Sequence, residues 1–351
     1  MKKAALVVGT RPQFVKTAPL TLELGRFFQM VLIHTSQHYD FMMSKNFFGE
    51  LGIPDPDYHL EATESPSGQG IGKMIDRLES ILLFEKPDLV IVVGDTNSTL
   101  AGALAAVRLR LPLAHVEAGV RAKDNKLPEQ INRVMTDAVA DYFLCPTQSA
   151  VDNLSREGKC DHVYDTGDVI YDCLRSFYDR VPEKPESLKS LPGRFALATI
   201  HRAEAVDNKE NLKDVLISLE SAVLPIIFPV HPRTRKRMES FGLSGKMPGN
   251  IIFTDPLGYV DILSLIKRSE YVVTDSGGVQ REAVYLGKPV LVARPETEWR
   301  ELEEYGWLRV AGYSFDLSEG VSMVSGNRGR LDYLTRPAAG EMARILTSVM
   351  A

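Results

Sequence analysis

The chain has 351 residues, which at roughly 150 per domain predicts about two domains. Apolar residues make up 44% and charged residues 25%, enough for two cores and too apolar for a disordered polar chain. Lys plus Arg number 41 against 46 Asp plus Glu, a formal charge of −5 that argues against a general nucleic-acid binder but leaves room for a local basic pocket.

Short apolar runs alternate with helical patterns along the chain. Ala4–Val8 predicts a first strand, since the run is too short for a signal-peptide core. Val31–His34 predicts a second. Met74, Ile75, Leu78, Ile81 and Leu82 recur at helical spacing, giving that segment one apolar face. Leu89–Val93, Leu113–Val116 and Tyr142–Cys145 read as buried strands, and Leu100–Val107 as a helix capped by Asn97 or Ser98. Arg180–Gly193, with Pro182, Pro185 and Pro192, reads as a linker. Strands resume at Phe195–Ile200, Ile226–Val230, Ile251–Phe253, Tyr271–Thr274 and Pro289–Ala293. Gly340–Val349 reads as a last helix with Met342, Ile345, Leu346 and Val349 on one side.

This alternation predicts an α/β fold with two doubly wound Rossmann-like domains facing a cleft. The expected division is 1–180, joined by a C-terminal helix at 338–351, and 181–337. No apolar stretch approaches a membrane span, so a soluble cytoplasmic protein is expected.

Open parallel sheets bind ligands beyond the carboxyl ends of their strands, so residues just after strands matter most. Gly9-Thr10-Arg11-Pro12-Gln13-Phe14-Val15-Lys16 follows the first strand, where a helix N-terminus with Arg11 and Lys16 suits a diphosphate or is simply a capped helix with solvated cations. It lacks the Gly-x-Gly-x-x-Gly pattern, which counts against NAD. Asp95 follows Leu89–Val93 and Glu117 follows Leu113–Val116. Either suits proton transfer; a helix cap or a buried ion-pair partner is the plainer reading. Glu129 and Arg133 fall one turn apart on a helix opened by Pro128, as a surface pair or as a third carboxylate with a cation.

In the second half, His201 closes the strand Phe195–Ile200, suited to donating a proton or binding phosphate, or to a structural hydrogen bond. His231 repeats the theme at a Pro-flanked turn. Thr274-Asp275-Ser276-Gly277-Gly278 ends a strand and opens a helix. Ser276 as cap, with Gly277 and Gly278 exposing N–H groups, makes a phosphate cradle, and Glu282 one turn on suits ribose hydroxyls. No Gly-x-Ser-x-Gly elbow or Walker loop occurs. Cys145, Cys160 and Cys173 lack C-x-x-C spacing and an activating partner, which argues against disulfides, structural zinc and thiol catalysis.

Taken together, these motifs resemble the non-hydrolysing UDP-N-acetylglucosamine 2-epimerase family. The resemblance runs from about Ala5 to Gly312. It rests on Gly9-Thr10-Arg11-Pro12, Gln37-His38-Tyr39-Asp40, Gly94-Asp95-Thr96-Asn97 and His115-Val116-Glu117-Ala118-Gly119. Pro128-Glu129 with Asn132-Arg133, His201-Arg202 and Asp275-Ser276-Gly277-Gly278 complete it. It implies the glycosyltransferase-B architecture, a UDP-sugar substrate, a homodimer, and neither a metal nor a redox cofactor. It implies Asp95, Glu117, Glu129 and His201 as catalytic residues. Arg11, Lys16, Arg133, Ser276, Gly277, Gly278 and Glu282 are the implied ligand contacts. The implied reaction removes the C2 proton and expels UDP, leaving a 2-acetamidoglucal that UDP re-attacks.

Several positions depart from the family pattern. Gln13 and Gln130 stand where Glu is usual, and Arg281 stands where Glu precedes Glu282. Thr297-Glu298-Trp299-Arg300-Glu301 replaces Thr-Glu-Arg-Pro-Glu. Phe41 takes the Met position of Gln-His-x-x-Met, the mark of members activated by their own substrate, with Met42 one residue late. Three competing functions remain: epimerisation of a UDP-diacetamido-glucuronate, glycosyl transfer on the same architecture, and silent UDP-sugar sensing.

Overall fold

Ala4–Val8 is apolar at every position and every side chain is buried, which requires cover on both faces of the strand and favours parallel neighbours. The computed structural model describes residues 1–35, 54–60, 68–179, 181–182, 185, 188, 190–243, 249–317 and 331–351. Its chain divides into two compact units, Met1–Cys173 with Thr335–Ala351, and Leu174–Leu334.

The first unit is built on a wholly parallel sheet of seven strands. In chain order they are β1 (Lys2–Val8), β2 (Phe28–His34), β3 (Tyr58–His59), β4 (Leu89–Val93), β5 (Leu113–Val116), β6 (Tyr142–Cys145) and β7 (Val163–Asp165). Their spatial order is β3-β2-β1-β4-β5-β6-β7. The crossovers carry α1 (Arg11–Leu24), α2 (Gly68–Glu85), α3 (Asn97–Arg108), α4 (Pro128–Val139) and α5 (Gln148–Arg156). In α2, Met74, Leu78 and Leu82 are buried one turn apart, against Val7, Ile33 and Val92 of the sheet side.

Helix α6 (Val169–Phe177) follows β7, and the second unit repeats the plan, with α7 (Ala203–Val206), α8 (Lys209–Glu220), α9 (Pro232–Ser240) and α10 (Tyr259–Arg268) among its crossovers. Its strands are β8 (Ala196–Thr199), β9 (Ile226–Pro229), β10 (Ile251–Thr254), β11 (Val272–Thr274), β12 (Val290–Val292) and β13 (Leu308–Val310). They lie in the order β10-β9-β8-β11-β12-β13, again parallel throughout. Phe228, Leu212, Val215 and Val273 share one core on a face of this sheet.

Both sheets are therefore Rossmann-like, the α/β class expected. Each reverses its direction of growth once, between β1 and β4 in the first and between β8 and β11 in the second. Ligand crevices form at such reversals, because the loops beyond the strand ends diverge there.

Three details differ from the sequence reading. β3, β7 and β13 have only two or three residues each, too short to show as apolar runs. The cap of α3 is Thr96, whose Oγ1 accepts from Thr99 N at 3.3 Å, and Asn97 is the first helical residue. Helix α4 is inside out: Gln130, Asn132, Arg133 and Asp137 are buried, while Ile131, Val134 and Met135 are each more than 40% exposed. The final helix (Ala339–Val349) packs on α1, and Asp172 Oδ2 accepts from its leading amides, Ala338 N at 2.7 Å and Ala339 N at 3.3 Å. Among the described residues, no helix is long and apolar enough to cross a membrane.

Candidate active site

At the first sheet's reversal, the loops after β1 and β4 are tied by one side chain. Gln13 Oε1 accepts from Gly9 N at 2.8 Å and Thr10 N at 3.1 Å, while Nε2 donates to the Val93 carbonyl at 2.7 Å and to Thr99 Oγ1 at 3.1 Å. A carboxylate has no hydrogen to give Val93, so this wiring uses an amide. Arg11 opens α1, and its side chain lies outside the described structure, as do Gln37–Met42.

Lys16 does not stand free in solvent. Its Nζ lies 2.7 Å from Glu117 Oε2, both side chains being over 90% buried. Glu117 has φ +71°, a left-handed conformation that costs a non-glycine residue about 1 kcal/mol or more. It is held there by the amides of Glu117 and Ala118, which both donate to the Leu144 carbonyl at 3.0 and 3.2 Å.

Asp95 is half-buried and does not cap α3. It forms an ion pair with Arg133, and Asn132 Nδ2 donates to the Asp95 carbonyl at 2.9 Å. Arg133 is thus no surface partner of Glu129 but a buried cation on Asp95. Glu129 sits one turn earlier on α4, and its Oε2 is buried with no hydrogen-bond partner among the described residues. Buried carboxylate oxygens are normally satisfied, so this oxygen keeps the capacity to accept a hydrogen bond. Gln130 is structural: its Oε1 accepts from Ala122 N at 2.8 Å.

Beneath these groups lies a network the sequence did not announce. His115 Nδ1 is 2.6 Å from Asp137 Oδ1, and its Nε2 is 2.8 Å from the Gly94 carbonyl. Asp137 Oδ2 accepts from Gly119 N at 3.1 Å and Arg121 Nη1 at 2.7 Å. Burial alone would raise the Asp137 pKa, but His115 and Arg121 together hold it below the usual carboxylate value. The missed signal is the spacing of Gln130, Arg133 and Asp137, which share one face of α4 and read as solvated polar residues. Nearby Cys145 is no nucleophile, because burial, then Asp137 and Asp165, push its thiol far up.

The second unit holds its groups the same way. Asp275, fully buried after β11, accepts from the amides of His201 at 2.8 Å and Arg202 at 2.7 Å through Oδ2. His201 Nδ1 is 3.6 Å from Asp275 Oδ1, and the His201 and His231 rings lie 5.5 Å apart. The role of His231 in its own turn is a cap, with Nδ1 accepting from Arg233 N at 3.2 Å.

Ser276 caps α11 (Gly277–Tyr285), as expected, its Oγ accepting from Val279 N at 3.5 Å. A Cβ on Gly277 would stand 2.7 Å from Glu298 Oε1 and 3.1 Å from Trp299 Nε1, whereas one on Gly278 meets nothing nearer than Ser276 Oγ at 3.9 Å. Gly277 is thus required by packing, and Gly278 leaves open space at the helix start. Glu282 is buried on the same helix. Glu298 pairs with Arg294 and lies 3.5 Å from Arg202. The two unusual residues meet: the Arg281 guanidinium sits 3.8 Å above the Trp299 ring.

The model of a family described as UDP-N-acetylglucosamine 2-epimerase matches residues 21–320. The chain belongs to the UDP-N-acetylglucosamine 2-epimerase family. It is 44% identical, over 316 residues and 88% of each chain, to a UDP-N-acetylglucosamine 2-epimerase homolog of Methanococcus maripaludis. It is 43% identical, over 323 residues and 90% of each chain, to the UDP-2,3-diacetamido-2,3-dideoxy-D-glucuronate 2-epimerase of Pseudomonas aeruginosa. A crystal structure of the Methanocaldococcus jannaschii UDP-GlcNAc 2-epimerase in complex with UDP-GlcNAc and UDP superposes with a TM-score of 0.83 at 36% identity, covering 99% of this chain and 100% of that one. This 2-epimerase-family chain is accordingly an enzyme of the epimerase class.

Proposed function

We propose that this epimerase is non-hydrolysing and interconverts UDP-GlcNAc and UDP-ManNAc. The observation that carries the reading is the pair of carboxylates closing adjacent strands: Asp95 after β4 held by Arg133, and Glu117 after β5 held by Lys16. The sugar's C2–H has no neighbouring carbonyl to acidify it, so its removal must accompany loss of the leaving group. A carboxylate takes the proton, the C2–H electron pair becomes the C1=C2 double bond, and the C1–O bond breaks to release UDP. The 2-acetamidoglucal that remains is protonated at C2 on its other face, and UDP re-adds at C1. The sequence balances without oxidant or reductant.

Asp95, Glu117 and Glu129 are the acid–base groups in this reading. The unpartnered Oε2 of Glu129 supports its inclusion. His201, with Ser276, Gly277 and Gly278 at the α11 N-terminus, binds and stabilises the diphosphate as it leaves. Lys16 and Arg133 hold carboxylates as well as contacting ligand, Arg11 contacts the diphosphate, and Glu282 takes the ribose. The M. jannaschii complex with UDP-GlcNAc and UDP supports the nucleotide-sugar assignment. A homodimer belongs to the same reading. It is supported by the exposed apolar stripe of Ile131, Val134 and Met135 on the helix that carries Arg133.

A second reading, epimerisation of a UDP-diacetamido-glucuronate, is favoured by the P. aeruginosa relative. One experiment separates them. Incubation with each sugar in D2O is expected to convert UDP-GlcNAc to the manno epimer carrying deuterium at C2. Asp95→Asn is expected to slow exchange about 100-fold or more while UDP binding changes little. Product without deuterium would overturn proton abstraction. Turnover of the glucuronate alone would transfer the mechanism to the second substrate, and turnover only with an added acceptor would make the chain a glycosyltransferase.

A further inference from the structure

His115 is completely buried, and both of its ring nitrogens face acceptors. The Gly94 carbonyl only accepts, so Nε2 carries a proton. Asp137 holds the other ring nitrogen, and its second oxygen accepts from Gly119 N and Arg121 Nη1, so the ring is fixed from both sides.

What this ring holds is the turn before Asp95. Gly94 N donates to the Val116 carbonyl at 2.9 Å, so β5 grips both the N–H and the C=O of one glycine, the second through His115. Gly94 has φ +70°, and a Cβ on it would lie 3.2 Å from Lys16 Nζ, the atom that pairs with Glu117. The residue after Gly94 is Asp95; the residue after Val116 is Glu117. One ring thus fixes the crossing point from which both carboxylates leave the sheet.

We propose that His115 is a positioning residue for Asp95 and Glu117, its ring locked between Asp137 and the Gly94 carbonyl. The inference rests on the reading of those two carboxylates as acid–base groups. His115 itself touches no reacting atom. It acts by holding the Gly94–Asp95 turn, and misplacement by about an ångström is enough to slow a reaction some 100-fold.

Two isosteres of the full-length chain separate the bonds. The amide nitrogen of His115→Gln reaches the Nε2 position and keeps the bond to Gly94. That of His115→Asn reaches the Nδ1 position and keeps only the bond to Asp137. The C2 exchange rate from UDP-GlcNAc is expected to fall about 10- to 100-fold in His115→Asn, with KM and the UDP Kd within about twofold. His115→Gln is expected to retain more activity than His115→Asn. The side-chain 1H–15N spectrum of the wild-type protein at neutral pH is expected to show His115 Nε2 protonated, its signal assigned by its loss in His115→Gln. An unprotonated Nε2, wild-type exchange in His115→Asn, or a loss carried by KM would overturn the proposal. If the wild type exchanges no C2 proton with any UDP-sugar, the functional reading fails instead, and the spectrum still shows whether the ring donates to Gly94. Should His115→Asn fail to fold, the spectrum and the kinetics of His115→Gln suffice to refute it.

Discussion

Lys16 and Glu117 show how this protein uses single residues. A buried ion pair is weak evidence of stabilisation, because desolvating both charges offsets their attraction. Here the pair fixes a carboxylate on a left-handed backbone, so its value lies in position. Asp137 is the opposite case, a buried carboxylate with His115 on one oxygen and the Arg121 guanidinium on the other. Its pKa is lower folded than unfolded, so the unfolded chain binds more protons in acid and stability rises with pH. This contribution is full above the unfolded value and is lost as pH falls through the folded one. Urea midpoints measured from about pH 7 down to pH 3 are expected to drop in the wild type below about pH 4. Asp137→Asn should be less stable at pH 7 by about 3 kcal/mol and flatter in acid. Parallel curves for the two proteins would show that Asp137 plays no part in acid sensitivity.

At the scale of elements, most strands were legible as continuous apolar runs, and the residues that follow them were legible with them, whereas β3, β7 and β13 were too short to show. That placed Asp95, Glu117, His201 and Ser276 at strand ends. It did not reveal α4, whose apolar residues face outward and whose polar residues are buried, because periodicity fixes a face but not its direction. Nor did it pair His115 with Asp137, 22 residues apart, or Arg281 with Trp299, two departures from the family pattern that explain each other by stacking. The α11 N-terminus gives a test at this scale. Gly278→Ala meets open space and should leave thermal stability unchanged or slightly higher. Its methyl would still crowd a phosphate on the helix N-terminus, so UDP is expected to bind about tenfold more weakly, a loss of roughly 1.4 kcal/mol. Gly277→Ala instead collides with Glu298 and Trp299, both fixed by arginines, and should lose stability as well as binding. Unchanged UDP affinity in Gly278→Ala would place the phosphate elsewhere.

The whole chain is two Rossmann-like units with separate cores, and the first is completed only when the chain returns after the second. Its last helix buries Met342, Ala343 and Leu346, with Leu346 fully enclosed. Truncating such a leucine costs about 2–5 kcal/mol. For a unit of this size that corresponds to roughly 2–4 °C per kcal/mol. Calorimetry of Leu346→Ala is therefore expected to shift one transition down by roughly 4–20 °C. A second transition should stay in place, because Phe228, Leu212 and Val273 form a core that contains none of the final helix. UDP identifies the unit behind each transition. If the phosphate cradle at Ser276–Gly278 supplies most of the nucleotide's contacts, UDP raises the second unit's transition more than the first's by mass action. The mutation and the ligand should then act mainly on different peaks. A single peak that moves with both would mean that the two units unfold as one, and that the late return of the chain couples them more tightly than their separate cores require.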